Sequence, residues 1–180
     1  MHGLVSLLTN PYYAIVEDLW KDLEKKFGLS GIKVTPFPHF SWVVAQDFNF
    51  GKLEREMQQI AEKTKPFILR TGGVGIFSGE SPIIYISIAK NEHLLTLHQS
   101  IYQRFSRIAE GLVPYYEPNQ WIPHISVAYS DVTKKNIGKV LKYLSFRDFH
   151  WEIKIDNLAF IFEPTGSIGE LRYKFPFHGI

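Results

Sequence analysis

The spacing of hydrophobic residues along the chain predicts four helices that alternate with strands. Between Pro11 and Gly28, apolar side chains recur every three or four residues with acids and lysines between them, as in an amphipathic helix. Pro11 suits the first helical position, and Gly28 suits the stop. The same periodicity predicts helices over 50–65, 91–110 and 131–144, the third of them capped by Asn91.

Short apolar runs between these helices predict strands. They are GLVSLL at 3–8, the segments that carry the histidines at 39 and 124, the two runs around the turn at 78–81, and the runs 150–162 and 170–177 around the turn at 164–166. Each half of the chain therefore has the order strand, long helix, histidine strand, second helix, strand. We predict a single domain over 1–180 with an internal repeat, its copies at about 1–81 and 82–180.

Composition favours a soluble protein with one core and excludes some kinds of chemistry. Twenty basic and eighteen acidic residues leave a net charge of +2, so no large cationic field favours duplex nucleic acid, while a small anion or short oligonucleotide remains compatible. The absence of cysteine excludes disulfides, thiol nucleophiles and cysteine-ligated zinc. No segment approaches the roughly 18 apolar residues of a membrane span, and the N-terminus lacks the basic region of a signal peptide. We expect a cytoplasmic monomer without membrane association.

One short motif occurs twice, as PHFSWV from Pro38 and as PHISVA from Pro123, with the histidines 85 residues apart. Side chains i and i+2 of a strand share a face, so His39 accompanies Ser41 and His124 accompanies Ser126. If a two-fold axis relates the halves, two imidazoles and two hydroxyls converge on one cleft. Such a set suits a phosphodiester, because hydroxyls can donate to the non-bridging oxygens while imidazoles exchange protons with the attacking and leaving oxygens.

These motifs resemble the signature of the 2H phosphoesterases, also called the 2′-5′ RNA ligase-like or cyclic phosphodiesterase superfamily. That signature is a pair of His-x-Thr/Ser-x-hydrophobic motifs. The segments 38–57, 65–88 and 121–130 are similar to family segments in the expected order. The chain departs from the common pattern at Trp42, where an aliphatic residue is more usual, and in having serine in both motifs where threonine is more frequent.

The resemblance implies an α+β fold of two lobes, with antiparallel sheets facing a central cleft, helices outside and an approximate two-fold axis. It implies opening of a 2′,3′-cyclic phosphate, or cleavage or joining of a 2′-5′ linkage, without metal or other cofactor. One of His39 and His124 would be the general base and the other the general acid, while Ser41 and Ser126 would hold the phosphate. The partner would be an RNA end or a small cyclic-phosphate nucleotide.

Two other interpretations stay open. The same fold could be a non-catalytic module that binds a nucleotide or RNA end. A metal hydrolase would need carboxylates, and the nearest are Asp47 and Asp131, just downstream of the motifs. The other histidines do not repeat between the halves and are predicted to lie on the surface or in packing contacts. A core role is predicted for the aromatic residues near the motifs, with base stacking as the alternative: Phe77, Tyr85, Trp121 and Tyr129.

Overall fold

Two antiparallel β-sheets form the centre of the protein in the computed structural model, which describes residues 1–179. The strands are β1 (His2–Leu7), β2 (His39–Phe48), β3 (Phe67–Phe77), β4 (Ile83–Ile88), β5 (Ala109–Leu112), β6 (His124–Ala128), β7 (Glu152–Ile155), β8 (Asn157–Phe162) and β9 (Glu170–Pro176). The first sheet has the order β5-β2-β1-β8-β9, and the second has the order β6-β4-β3-β7. All of these pairs are antiparallel.

Helices cover the outer faces of both sheets. They are α1 (Tyr12–Phe27), α2 (Phe50–Lys63), α3 (Glu92–Phe105) and α4 (Ile137–Leu144), with 3-10 turns at Gly31–Val34 and Pro114–Tyr116. Helices α2 and α3 pack on the first sheet and α1 packs on β6 of the second. Strands β2 and β6 lie next to each other, so the sheets meet where the predicted histidine strands are. The predicted α+β fold class is confirmed, and no helix among residues 1–179 is both long and apolar enough to cross a membrane.

The two predicted halves of the chain share both sheets. Strand β3 of the first half pairs with β4, while β5, β8 and β9 of the second half lie in the sheet of β1 and β2. The run 150–162, predicted as one strand, is two strands on different sheets, separated at Asp156, because β7 pairs with β3 and β8 pairs with β1. Local alternation does not distinguish between sheets, since both have an apolar face that packs against the helices. The internal repeat itself stays a prediction.

The helix boundaries follow local hydrogen bonds. The backbone N–H of Gly28, at a φ of 72°, donates to Glu24 O and ends α1, while Asn91 Oδ1 accepts from Leu94 N and caps α3, both as predicted. Helix α3 ends at Phe105 rather than at residue 110, because residues 109–112 pair with β2 as an edge strand.

Helix α4 begins at Ile137 rather than at residue 131. The side chain of Asn136 accepts from Thr133 N at 2.8 Å and donates to Asp131 O at 3.0 Å, which holds residues 131–136 in turns. Side-chain bonds of this kind offer the backbone an alternative to the helical ladder.

A buried polar network joins β1, β2 and β8 beside the first histidine. Trp42 Nε1 donates to Ser6 Oγ at 2.9 Å, and Ser6 Oγ donates to Asn157 O at 2.7 Å. The Asn157 side chain accepts from Leu7 N and donates to Leu7 O, both at 2.9 Å. These bonds take the place of backbone hydrogen bonds between β1 and β8 beyond the last paired residues. Leu7 is the residue opposite His39. The indole of Trp42 is therefore part of the buried framework behind the motif.

We expect Asn157→Ala to lower the free energy of unfolding by about 3 kcal/mol, since it leaves the buried N–H and C=O of Leu7 without partners. Urea denaturation measures the change. Asn91→Ala is the matched control, because losing a helix cap costs about 1 kcal/mol. Equal losses in the two variants would contradict a special role for the network.

Candidate active site

The two histidine motifs begin β2 and β6 in equivalent ways. Leu8 N donates to Pro38 O at 3.0 Å, and Ile88 N donates to Pro123 O at 3.3 Å. His39 lies opposite the last residue of β1, and His124 lies opposite Ser87 near the end of β4. Each motif is thus held at the end of a strand pair by the same hydrogen bond.

Both imidazoles are oriented by the carbonyl two residues earlier in the chain. Nδ1 of His39 contacts Phe37 O, and Nδ1 of His124 lies 2.7 Å from Ile122 O. A carbonyl only accepts, so Nδ1 carries the proton in both rings and Nε2 is left to accept or donate one. The intervening prolines explain why Pro-His is repeated, because proline restricts its own φ and the conformation of the residue before it.

Burial keeps both imidazoles neutral in the free protein. It lowers the pKa of His39 to about 4, against the opposing contact with Phe37 O, and the nearby His124 contributes a further lowering. Burial also lowers the pKa of His124, against its contact with Ile122 O. The strands β2 and β6 that carry the two rings lie next to each other, so a charge on one ring disfavours a charge on the other. A bound anion would favour protonation of one of them.

Ser41 and Ser126 share the faces of His39 and His124, and all four side chains are partly exposed while the intervening residues are buried. A tryptophan indole donates to the main-chain carbonyl of each serine: Trp121 to Ser41 O at 3.0 Å, and Trp20 to Ser126 O at 3.2 Å. The sequence-predicted alternation is therefore present in both strands.

A stack of three rings supports the first motif from behind. Trp121 is buried and stacks on His98 at 3.7 Å between centroids and on Trp42 at 5.6 Å. His98 Nε2 lies 3.1 Å from Trp42 O, and burial lowers the pKa of His98 to about 4. His98 therefore has the packing role predicted for it, and Trp121 belongs to the core.

The two sides of the cleft differ in chemistry. Phe77 stacks on Tyr85 at 4.2 Å, and His124 contacts both rings, at 4.8 and 5.2 Å. The ring of Tyr85 lies against Gly75 so closely that a Cβ there would come within 2.4 Å of it. Near His39, by contrast, the inner face of the first sheet carries a small aliphatic cluster with Phe37 beside it: Val5, Leu7, Ala159 and Ile161. The sequence predicted that Phe77 and Tyr85 pack in the core, and the structure adds their contact with His124.

The carboxylates downstream of the motifs are bound to backbone amides. Asp47 Oδ1 accepts from Phe48 N at 2.8 Å, and Asp131 Oδ2 accepts from Ser30 N and Gly31 N, both at 2.7 Å. Within residues 1–179, no three side chains of the histidine, aspartate, glutamate or cysteine types form a group that could hold a metal ion.

Comparison with known proteins identifies the family. The family model described as the 2′-5′ RNA ligase superfamily matches residues 34–163. A Bacillus mycoides protein named as a phosphoesterase is 25% identical over 118 residues, which cover 66% of this chain and 64% of that protein. A Bacillus cytotoxicus protein with the same kind of name is 26% identical over 109 residues, 61% of this chain and 59% of its own. The chain thus matches less than two thirds of the length of these curated relatives.

Solved structures show the same fold. The protein TT0787 of Thermus thermophilus has a TM-score of 0.67 and 18% identity, and the match covers 99% of this chain and 98% of that one. Usb1 of Kluyveromyces marxianus has a TM-score of 0.50 and 13% identity, with 97% of each chain covered. At these identities the likeness concerns the fold alone.

We expect the stability of the protein to fall as the pH is lowered from about 6.5 to 4. The fold holds His98 neutral, whereas the unfolded chain protonates it near its ordinary pKa, so the unfolded state binds more protons in this window. For His98 the loss is about 3 kcal/mol by pH 4. Urea denaturation at several pH values in this range measures the free energy of unfolding, which should change less with pH in His98→Gln than in wild type. The control is the surface variant His150→Gln, which should keep the wild-type dependence on pH. If the free energy of unfolding changed equally with pH in wild type and His98→Gln, His98 would not be the cause of the loss.

Proposed function

Because the chain belongs to the 2′-5′ RNA ligase superfamily, we propose that it is a phosphoesterase in which His39 and His124 form a general acid–base pair. Its substrate is a 2′,3′-cyclic phosphate or a 2′-5′ phosphodiester, at an RNA end or in a small nucleotide. The Bacillus relatives named as phosphoesterases support the reaction class. The aromatic surface beside His124 supports a nucleotide, since bases stack on aromatic rings.

One observation carries the proposal. Two partly buried imidazoles on the neighbouring strands β2 and β6 both have Nδ1 bound to a carbonyl and Nε2 available for proton transfer. This is the arrangement that proton transfer at two oxygens of one phosphate requires. A module that only binds would not need two matched proton-transfer groups.

The chemistry follows from the protonation states. One neutral imidazole takes a proton from water as the water oxygen bonds to phosphorus. The other, protonated under the influence of the bound phosphate, gives its proton to the ribose oxygen as the bond from that oxygen to phosphorus breaks. Ser41 and Ser126 donate to the non-bridging oxygens and offset the negative charge that develops on them. Metal independence and the direction of reaction, hydrolysis or joining, stay parts of the proposal.

We expect His39→Ala and His124→Ala each to lower turnover of a 2′,3′-cyclic mononucleotide by about 10²–10⁴-fold, the usual weight of general acid–base catalysis. The double variant should lose much less than the product of the two factors, because both side chains serve one step. His150→Ala is the control, since that side chain is 79% exposed and paired with Asp148. Near-wild-type turnover by a folded single variant would refute the assignment of His39 and His124 as the general acid and base. Nucleotide binding without any turnover would favour the non-catalytic module.

We expect a bell-shaped pH dependence that EDTA leaves unchanged. The rate should fall on the acid side as the base is protonated and on the alkaline side as the acid loses its proton, and both limbs belong to the coupled pair. Since burial lowers the pKa of both histidines, both limbs of the kcat/KM profile should lie at lower pH than those of two ordinary histidines. Loss of activity on chelation, restored by one divalent ion, would overturn the proposal in favour of a metal hydrolase.

A further inference from the structure

Lys174 lies on the cleft face of the first sheet, in the row of residues that contains Ser41. Ser41 is opposite Val5 of β1. Val5 is in turn opposite Ala159 of β8, and Ala159 is opposite Lys174 of β9. Residues directly opposite each other on neighbouring strands point to the same side of a sheet. Lys174 therefore faces the cleft on the same side as the Ser41 hydroxyl.

The surroundings of Lys174 on this face are apolar. Two members of the aliphatic cluster, one on β1 and one on β8, separate it from Ser41. The nearest β9 residues paired on the same side are Leu171 and Pro176. The lysine is exposed, and no carboxylate within residues 1–179 forms an ion pair with it. An anion in the cleft can therefore approach this charge without displacing a protein carboxylate.

The other basic residue of this part of β9 lies on the opposite side of the sheet. The register of β8 and β9 shifts between Phe160 and Ile161, so Arg172 has no directly opposite partner and the alternation is interrupted there. The guanidinium of Arg172 lies over the rings of Phe50 and Phe162, at 4.6 and 5.2 Å, beside the start of α2. Lys174 is thus the charge that this part of β9 presents to the cleft.

The length of the row suits a ligand with a second phosphate. Neighbouring strands lie about 4.8 Å apart, so the Cα atoms of Ser41 and Lys174 are separated by about 14 Å. The flexible four-carbon stem of lysine shortens the remaining gap by several ångströms. A ribose with phosphates at both of its ends can bridge this gap, with its apolar carbons over the aliphatic cluster.

We infer that Lys174 binds the 5′ phosphate of the nucleotide whose 2′,3′ phosphate reacts. The lysine then selects RNA ends and 5′-phosphorylated nucleotides over nucleosides that carry only the cyclic phosphate. The inference rests on the proposed function, in which the reacting phosphate lies between His39 and His124. The ammonium has three donors and no acceptor, which suits phosphate oxygens. The base remains available to the rings of Phe77 and Tyr85 on the other wall.

A lysine in this position also has a structural use. Strand β9 is an edge of the first sheet, and charged side chains on edge strands hinder pairing with a second chain. The two roles predict different results for a neutral substitution. Loss of phosphate binding changes the selectivity between substrates, whereas loss of edge protection causes association of the chains and leaves selectivity unchanged.

The test compares turnover of adenosine 2′,3′-cyclic phosphate with turnover of its 5′-phosphorylated form. In wild type, the 5′ phosphate should raise kcat/KM by about 5- to 20-fold, the weight of one charge-assisted hydrogen bond at a partly exposed site. This ratio should approach one in Lys174→Gln, remain in Lys174→Arg and fall as salt screens the charge. The control is Lys21→Gln on the outer surface of α1, where the side chain is 70% exposed and both rates should stay unchanged.

Two results would overturn the inference: a wild-type protein with no preference for the 5′ phosphate, or a preference of the same size in Lys174→Gln. Size-exclusion chromatography of Lys174→Gln accompanies the kinetics. Association of the variant with an unchanged ratio would assign the lysine to edge protection instead.

Calorimetry separates this inference from the proposed reaction, with adenosine 3′-monophosphate and adenosine 3′,5′-bisphosphate as ligands that have no cyclic phosphate to open. Tighter binding of the bisphosphate that is lost in Lys174→Gln, without turnover of either cyclic substrate, would uphold the inference while the proposed reaction fails. Turnover with the same ratio in wild type and Lys174→Gln would do the reverse. No binding and no turnover would refute both.

Discussion

The hydrogen bond from the Trp121 indole to the Ser41 carbonyl joins the two halves of the candidate site. Trp121 stands three residues before His124, so the segment that delivers the second imidazole also fixes the strand that delivers the first. The indole is held in turn by its stack on His98 and Trp42, and Trp42 reaches Ser6 in the network that closes β1 on β8. The spacing of the histidines thus depends on a continuous row of buried rings.

The electrostatics of the site follow from the burial of His39 and His124. Removing two imidazoles from water makes their neutral forms the stable ones, so the resting site contains two bases and no acid. An anionic substrate changes this balance because its charge favours one imidazolium. In the proposed mechanism, the charge of the ligand, together with the solution pH, sets the protonation state in which reaction can occur.

The motifs and the side of the strand they face could be predicted from the sequence, because alternation is a local property and Pro-His-x-Ser occurs twice. Helix α1 was predictable for the same reason, with its stop at Gly28. Two features depend on partners far away in the chain and could not be predicted: the change of sheet at Asp156 and the edge strand at 109–112. In each case a long-range pairing prevails over a local pattern that is compatible with more than one structure.

The way the chain alternates between the sheets has a mechanical consequence. From β2 to β3, β4 to β5, β5 to β6 and β7 to β8 the chain passes from one sheet to the other, so the walls of the cleft cannot swing apart like two domains joined by a single hinge. Adaptation to ligands of different size is therefore expected from side chains and from loops at the rim of the cleft. The same interlacing requires many contacts distant in sequence before either wall is complete, which is the topology of a slowly folding protein.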